Sequence, residues 1–228
     1  MNARRDASFL ALLGLTTAAF FFLIWLVFTR TPVAQPEAGG LAQKIFYFHV
    51  PAAYGLYLSG VVSGLASAAY LLSPSHARDA WARAGAEAAV LFGAMVLTSG
   101  PLWAKKAWGV YWAWDPRLIT TLLSMLIYAA VVLLRTFADQ GEAERRFAAA
   151  ISLLGTFNLP IIHFAVQKWG SIHPGSVKLP APMAFALGVG FAAMTLLALL
   201  LIWSRARVAA SSSRLARLEE QLAAGALD

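Results

Sequence analysis

Apolar residues fall into six runs of membrane-spanning length, at about 9–28, 50–72, 85–102, 117–134, 147–166 and 183–203, with short polar or proline-rich segments between them. Each run is long enough to cross about 30 Å of hydrocarbon as a helix. Arg4 and Arg5 precede the first run, which is too long for a signal-peptide core and reads as a retained span. Pro32, Pro36, Gly39 and Gly40 predict a loop after it. Pro51 suits the first turn of the second span and puts His49 at its mouth. Ser73-Pro74-Ser75 is a turn, and Gly100-Pro101 is expected to interrupt the third span. Gly55, Gly60 and Gly64 read as close helix packing. After the last span, Leu215, Leu218 and Leu222 are spaced like one helix face. The fold predicted is an all-α integral membrane protein with six transmembrane helices. It forms one polytopic domain over 1–228, with 205–228 as a cytoplasmic tail.

Composition agrees with this reading. Hydrophobic residues make up 60% of the 228 positions and charged ones 13%, which excludes an ordinary soluble domain. The absence of cysteine removes disulfides, thiolate metal ligands and thiol redox chemistry from consideration. A net charge of +7 would suit a nucleic-acid binder, but in a chain of this kind it reflects the positive-inside bias. Six spans put both termini on one side, with Arg78, Arg83, Arg135, Arg145, Arg146 and the tail arginines. The other side holds the smaller group: Arg30, Lys44, Lys105, Lys106, Arg117, Lys168 and Lys178. The first side is therefore expected to be cytoplasmic. The loops bearing His49, the tryptophans and His173 then lie together on the outer face.

The densest chemistry lies between the third and fourth spans, at Trp108-Gly109-Val110-Tyr111-Trp112-Ala113-Trp114-Asp115-Pro116-Arg117. Read as a short helix over 107–114, this segment puts Trp108, Tyr111, Trp112 and Asp115 on one face, an aromatic shelf edged by a carboxylate. Such a shelf suits a large flat ligand, although tryptophan also gathers at bilayer interfaces without binding anything. Asp115-Pro116 reads as the N-cap and first residue of the fourth span. Asp115 is also compatible with orienting an axial histidine. Arg117 either snorkels or bonds a ligand carboxylate. Of the four histidines, His49 and His173 each precede an outer-side span, and two imidazoles approaching from opposite sides can supply both axial bonds to a haem iron. Each taken singly also reads as a turn-capping residue. His76 reads as solvated. His163, inside span five, suits a packing role, though an ionisable residue within a span is a functional candidate too.

The motif Trp108-Gly109-x-x-Trp112-x-Trp114-Asp115-x-Arg117-Leu118, with Phe48-His49-Val50-Pro51 and the His173 loop, resembles the WWD signature of haem-handling proteins in cytochrome c biogenesis. The chain is most similar to CcmC, the haem exporter protein C family of the type I maturation system. Ile119 departs from the threonine usual there, and the CcsA-type motif continues differently after the proline. The resemblance implies His49 and His173 as axial ligands of a noncovalent haem b. It implies Trp108, Tyr111, Trp112, Trp114, Asp115 and Arg117 as its platform. It also implies a place in a bacterial inner membrane, CcmA and CcmB as ABC transporter partners, CcmD as a further partner, and CcmE as the haem chaperone that receives the cargo. No P-loop or catalytic triad is present in the sequence, and no enzymatic activity is expected. The competing functions are a cytochrome b-like electron carrier, which would bury its ligands at membrane depth, and a purely structural transporter subunit. A one-sided reporter fused after Asp139 should behave as cytoplasmic, and fusions after Gln35 or Val177 as periplasmic; reversed labelling would overturn the outer placement of all three loops.

Overall fold

The computed structural model describes residues 3–35, 39–137, 141–173 and 178–225. Pro36, Asp139, Pro174, Gly175 and Val177, all named above, lie outside the described residues. Among the described residues there are no strands. The helices are α1 (Ala3–Thr29), α2 (Phe46–Leu72), α3 (His76–Trp108), α4 (Pro116–Phe137), α5 (Glu142–Trp169) and α6 (Ala181–Gly225), with a 3-10 turn at Gly40–Ile45. All six are long and apolar enough to cross a membrane. α2 packs against α3, α5 and α6; α3 also meets α4 and α6; α4 packs on α5; and α1 lies on α6.

Three boundaries differ from the sequence reading, each for a physical reason. α2 starts at Phe46, so His49 belongs to its first turn and does not precede it. The 3-10 turn feeds straight into the helix. Pro51 then merely withholds an N–H from the Tyr47 carbonyl, against which the backbone at Gly190 of α6 packs closely. α3 runs unbroken through Pro101. The hydroxyls of Thr98 and Ser99 bond the Ala94 and Met95 carbonyls in the turn before the proline, in the manner that lets membrane helices accommodate this residue. At 33 residues α3 is about 50 Å long, about 20 Å more than a hydrocarbon core, and its last turns carry Trp103, Lys105, Lys106 and Trp108. Finally, the last span and the helix expected over the tail are one continuous element. α6 continues without a break, and Arg205 and Arg207 are tied to Glu87 and Asp6 on the bundle.

Small residues set the helix spacing. A methyl group added at Gly85 of α3 would lie 2.6 Å from the Ser63 nitrogen and 2.9 Å from the Ser59 carbonyl of α2, so these two backbones touch. Gly55, Gly60 and Gly64 likewise receive Phe92, Tyr128 and Thr156, as the sequence predicts. Polar side chains link the same helices. The Ser63 hydroxyl lies 2.7 Å from the Ala82 carbonyl and from the Ser152 hydroxyl, and Asn158 donates to the Thr120 carbonyl and Ser124 hydroxyl at 2.7 Å. At the end with the termini, Arg135 pairs with Asp79, and Arg205 and Arg83 converge on Glu87. His76, exposed there, lies 3.0 Å from an Arg145 nitrogen. The opposite end carries His49, the aromatic segment and His173.

Because the Gly85 contact is with backbone, Gly85→Val should cost about 1–3 kcal/mol or more and lower the melting temperature in detergent. Gly14, with nothing within 4 Å of an added methyl, should accept valine without such a loss.

Candidate functional site

α3 ends at Trp108 because Gly109 takes the left-handed conformation (φ 79°) that caps a helix C-terminus. Lys105 reinforces the stop. Its ammonium donates to the Gly109 carbonyl at 2.9 Å and sits 5.3 Å from the centre of the Tyr111 ring. Residues 110–115 therefore run as an irregular strap, and the short helix expected over 107–114 does not form. This divides the tryptophans. Trp108 stays on α3, edge-on to Trp103 at 5.0 Å and to His173 at 6.4 Å. Trp112 and Trp114 pair edge-to-face with each other at 5.9 Å, and Trp114 is 79% exposed. Tyr111 is also exposed. The single shelf predicted from helical spacing is thus two surfaces, a half-buried one at Trp103 and Trp108 and a second at Tyr111, Trp112 and Trp114, of which Tyr111 and Trp114 are exposed and Trp112 is half-buried.

Asp115 closes the strap. One carboxylate oxygen accepts from the Arg117 backbone N–H at 2.9 Å, the N-cap bond expected at the start of α4. The other accepts from the Ile172 backbone N–H at 2.9 Å, across the gap to the α5–α6 loop. Burial alone would raise the Asp115 pKa. Bonds from the Ser171 hydroxyl and the Arg117, Ile172 and Leu118 amides outweigh it and hold the carboxyl below its ordinary value. Asp115 positions the His173 loop through its backbone; the side chain at the imidazole is Arg117, whose guanidinium lies 3.0 Å from His173 Nδ1.

His49 and His173 meet at this end of the bundle. Their ring centres are 6.4 Å apart and their planes 29° from parallel. Both are half-buried. His49 Nδ1 lies 2.9 Å from the Ser99 hydroxyl, and a methyl at Gly100 would touch the His49 ring at 3.0 Å, so α3 fixes this imidazole by its backbone as well as by a hydrogen bond. Each histidine therefore has its Nδ1 engaged by the protein, His49 by Ser99 and His173 by Arg117. Two metal–nitrogen bonds of about 2 Å, with an imidazole ring radius added at each end, would put the centres of two rings facing one metal roughly 6 Å apart, and these stacked rings have a centre spacing of 6.4 Å. Among the described residues no group of three or more His, Cys, Asp or Glu is placed to hold a bare metal ion. A metal held by these two histidines would bring its remaining donors with it, as a porphyrin does.

The structure thus brings together His49, His173, Trp108, Asp115 and Arg117, and leaves Tyr111, Trp112 and Trp114 on the adjoining strap. His163 stands exposed on α5, edge-on to Phe164, and does not join this group of contacts. Sequence reasoning missed Ser99, Gly100, Trp103 and Ser171 as neighbours of this site. Ser99 and Trp103 are one helical turn apart before Trp108, but nothing in α3 alone says which neighbour that face meets.

A family model described as heme exporter protein C matches residues 3–221. A heme exporter protein C of Bradyrhizobium diazoefficiens is 37% identical over 140 residues, covering 60% of this chain and 53% of the relative. The Escherichia coli K12 protein of that name is 33% identical over 142 residues, covering 61% and 57%. The one from Paracoccus denitrificans is 28% identical over 204 residues, covering 86% and 83%. The first two matches take in a little over half of those relatives' length.

Asp115→Asn should lower stability in detergent at neutral pH by about 1–2 kcal/mol, since it loses a charged cap and weakens the cross-loop bond. The depressed folded pKa means that the carboxylate's contribution is complete above the unfolded value of about 4 and disappears as pH falls through the folded one. Melting curves of wild type and variant should therefore converge in acid. A gap that persists there would deny the carboxylate this role.

Proposed function

The chain belongs to the heme exporter protein C family, and from that premise we propose that it holds a noncovalent haem b as cargo at the periplasmic face of a bacterial inner membrane. His49 and His173 are the axial ligands, and Trp108 lies against the bound macrocycle. The Tyr111, Trp112 and Trp114 strap extends the aromatic surface toward solvent, and Arg117 answers a haem carboxylate. The observation that carries this reading is the pair of half-buried imidazoles 6.4 Å apart, each held at Nδ1 by a neighbouring helix. Such an outer partner fixes the orientation of an imidazole ring toward a metal.

The membrane supplies the rest of the logic. A site at the end of the bundle, partly covered by one loop and one strap, can take haem and surrender it. A site at membrane depth, as in an electron-carrying cytochrome b, would retain it. We assign the chain to an assembly with CcmA and CcmB as ABC transporter subunits and CcmD, which passes haem to the chaperone CcmE during cytochrome c maturation. The exposed Tyr111 and Trp114 side of the strap is the side from which a recipient would approach.

Purified protein loaded with haem should show a six-coordinate low-spin spectrum. His49→Ala and His173→Ala should each shift it toward high spin, and added imidazole should restore it by filling the vacated position. Trp112→Ala with Trp114→Ala should lower occupancy while membrane insertion stays near normal. Unchanged spectra and occupancy in both histidine variants would remove the ligand assignment.

A further inference from the structure

The two histidines are not in equivalent states, and their hydrogen bonds say why. The Ser99 hydroxyl has one hydrogen, and its oxygen lies 2.6 Å from that of the Met95 carbonyl, which can only accept. Toward His49 Nδ1, 2.9 Å away, Ser99 therefore accepts, and the imidazole proton sits on Nδ1. His49 Nε2 carries a lone pair and is ready to bind a metal. At His173 the polarity is reversed. A guanidinium has five N–H donors and no acceptor, so the Arg117 nitrogen 3.0 Å from Nδ1 donates to it. In the neutral ring the proton then sits on Nε2, where it occupies the lone pair that iron would need.

Resting on the haem-holding reading, we propose that Arg117 gates the second axial bond and thereby couples recognition of the cargo's carboxylates to iron ligation. His49 binds iron first. A haem carboxylate then draws the Arg117 guanidinium away from His173, because a forked bond between opposite charges is stronger than a single bond from a guanidinium to a neutral ring nitrogen. The freed Nδ1 takes a proton from water while Nε2 gives one up. The imidazole stays neutral throughout, and Nε2 donates its electron pair to the metal. Reversal follows the same route. When a recipient pulls the carboxylates off Arg117, the guanidinium returns to His173 and one axial bond is lost, leaving the haem on His49 alone.

The test uses the full-length protein in detergent micelles, titrated with hemin or with hemin dimethyl ester, whose carboxylates are blocked. Wild type should give a predominantly low-spin spectrum with hemin and a predominantly high-spin, singly ligated one with the ester. Arg117→Ala should give low spin with both, at lower affinity for hemin than wild type. For His49, the ferrous His173→Ala protein should show an iron–histidine stretching frequency that falls in Ser99→Ala and returns in Ser99→Thr, since the Nδ1–H loses and regains its acceptor. Equal low-spin fractions for hemin and its ester in wild type, or an unmoved stretching frequency in Ser99→Ala, would overturn the proposal while leaving bis-histidine ligation standing. Hemin that binds with no spectral dependence on either histidine would overturn both.

Discussion

The backbone contact between α2 and α3 is the constraint on which the site depends. Gly85 lets the two helices touch at Ser59 and Ser63. From that point each runs fourteen residues toward the same end of the bundle, from Ser63 to His49 and from Gly85 to Ser99. Over those roughly 21 Å the register has little room to drift, because glycine and serine leave no side-chain thickness to adjust. Ser99 thus arrives beside the His49 imidazole by rigid extension of a contact made deep in the bundle. Gly100, one residue on, leaves space for the ring.

The second histidine is held by different means. His173 lies on a loop, where no helix register can place it. Asp115 takes over that task, joining the start of α4 to the backbone at Ile172, while Arg117 engages the ring itself. The contrast suits the asymmetry inferred above. An imidazole in the first turn of a packed helix keeps its place, and one on a stapled loop can exchange partners. The left-handed Gly109 and the Lys105 bond behind it release the strap that carries Asp115 to this position.

At the other end, charges that a topology argument merely adds together turn out to be paired. Arg135 with Asp79, Arg205 with Glu87, Arg207 with Asp6 and Arg146 with Glu142 bind helix to helix or turn to turn. Counting arginines remains a valid guide to orientation, since that rule depends on basic residues and little on acids. It says nothing about where these side chains go. In the structure several of them are fasteners that tie α6, α4 and α1 to their neighbours at this end.

By itself the sequence determined the helical class, the number of spans, the gathering of His49, the tryptophans and His173 at one end, and the N-cap at Asp115. Those features follow from one-dimensional quantities: the length of apolar runs, the parity of crossings, and the local chemistry of Asp before Pro. Tertiary structure decided the rest. Helical spacing predicted one aromatic shelf, but a capped turn at Gly109 split it, because a left-handed glycine ends a helix regardless of the periodicity that follows. The identity of each imidazole's partner was equally hidden. Ser99 is fifty residues from His49 and Arg117 fifty-six from His173. Which hydroxyl or guanidinium meets which ring is set by helix register and loop closure, and neither leaves a periodic trace in the chain.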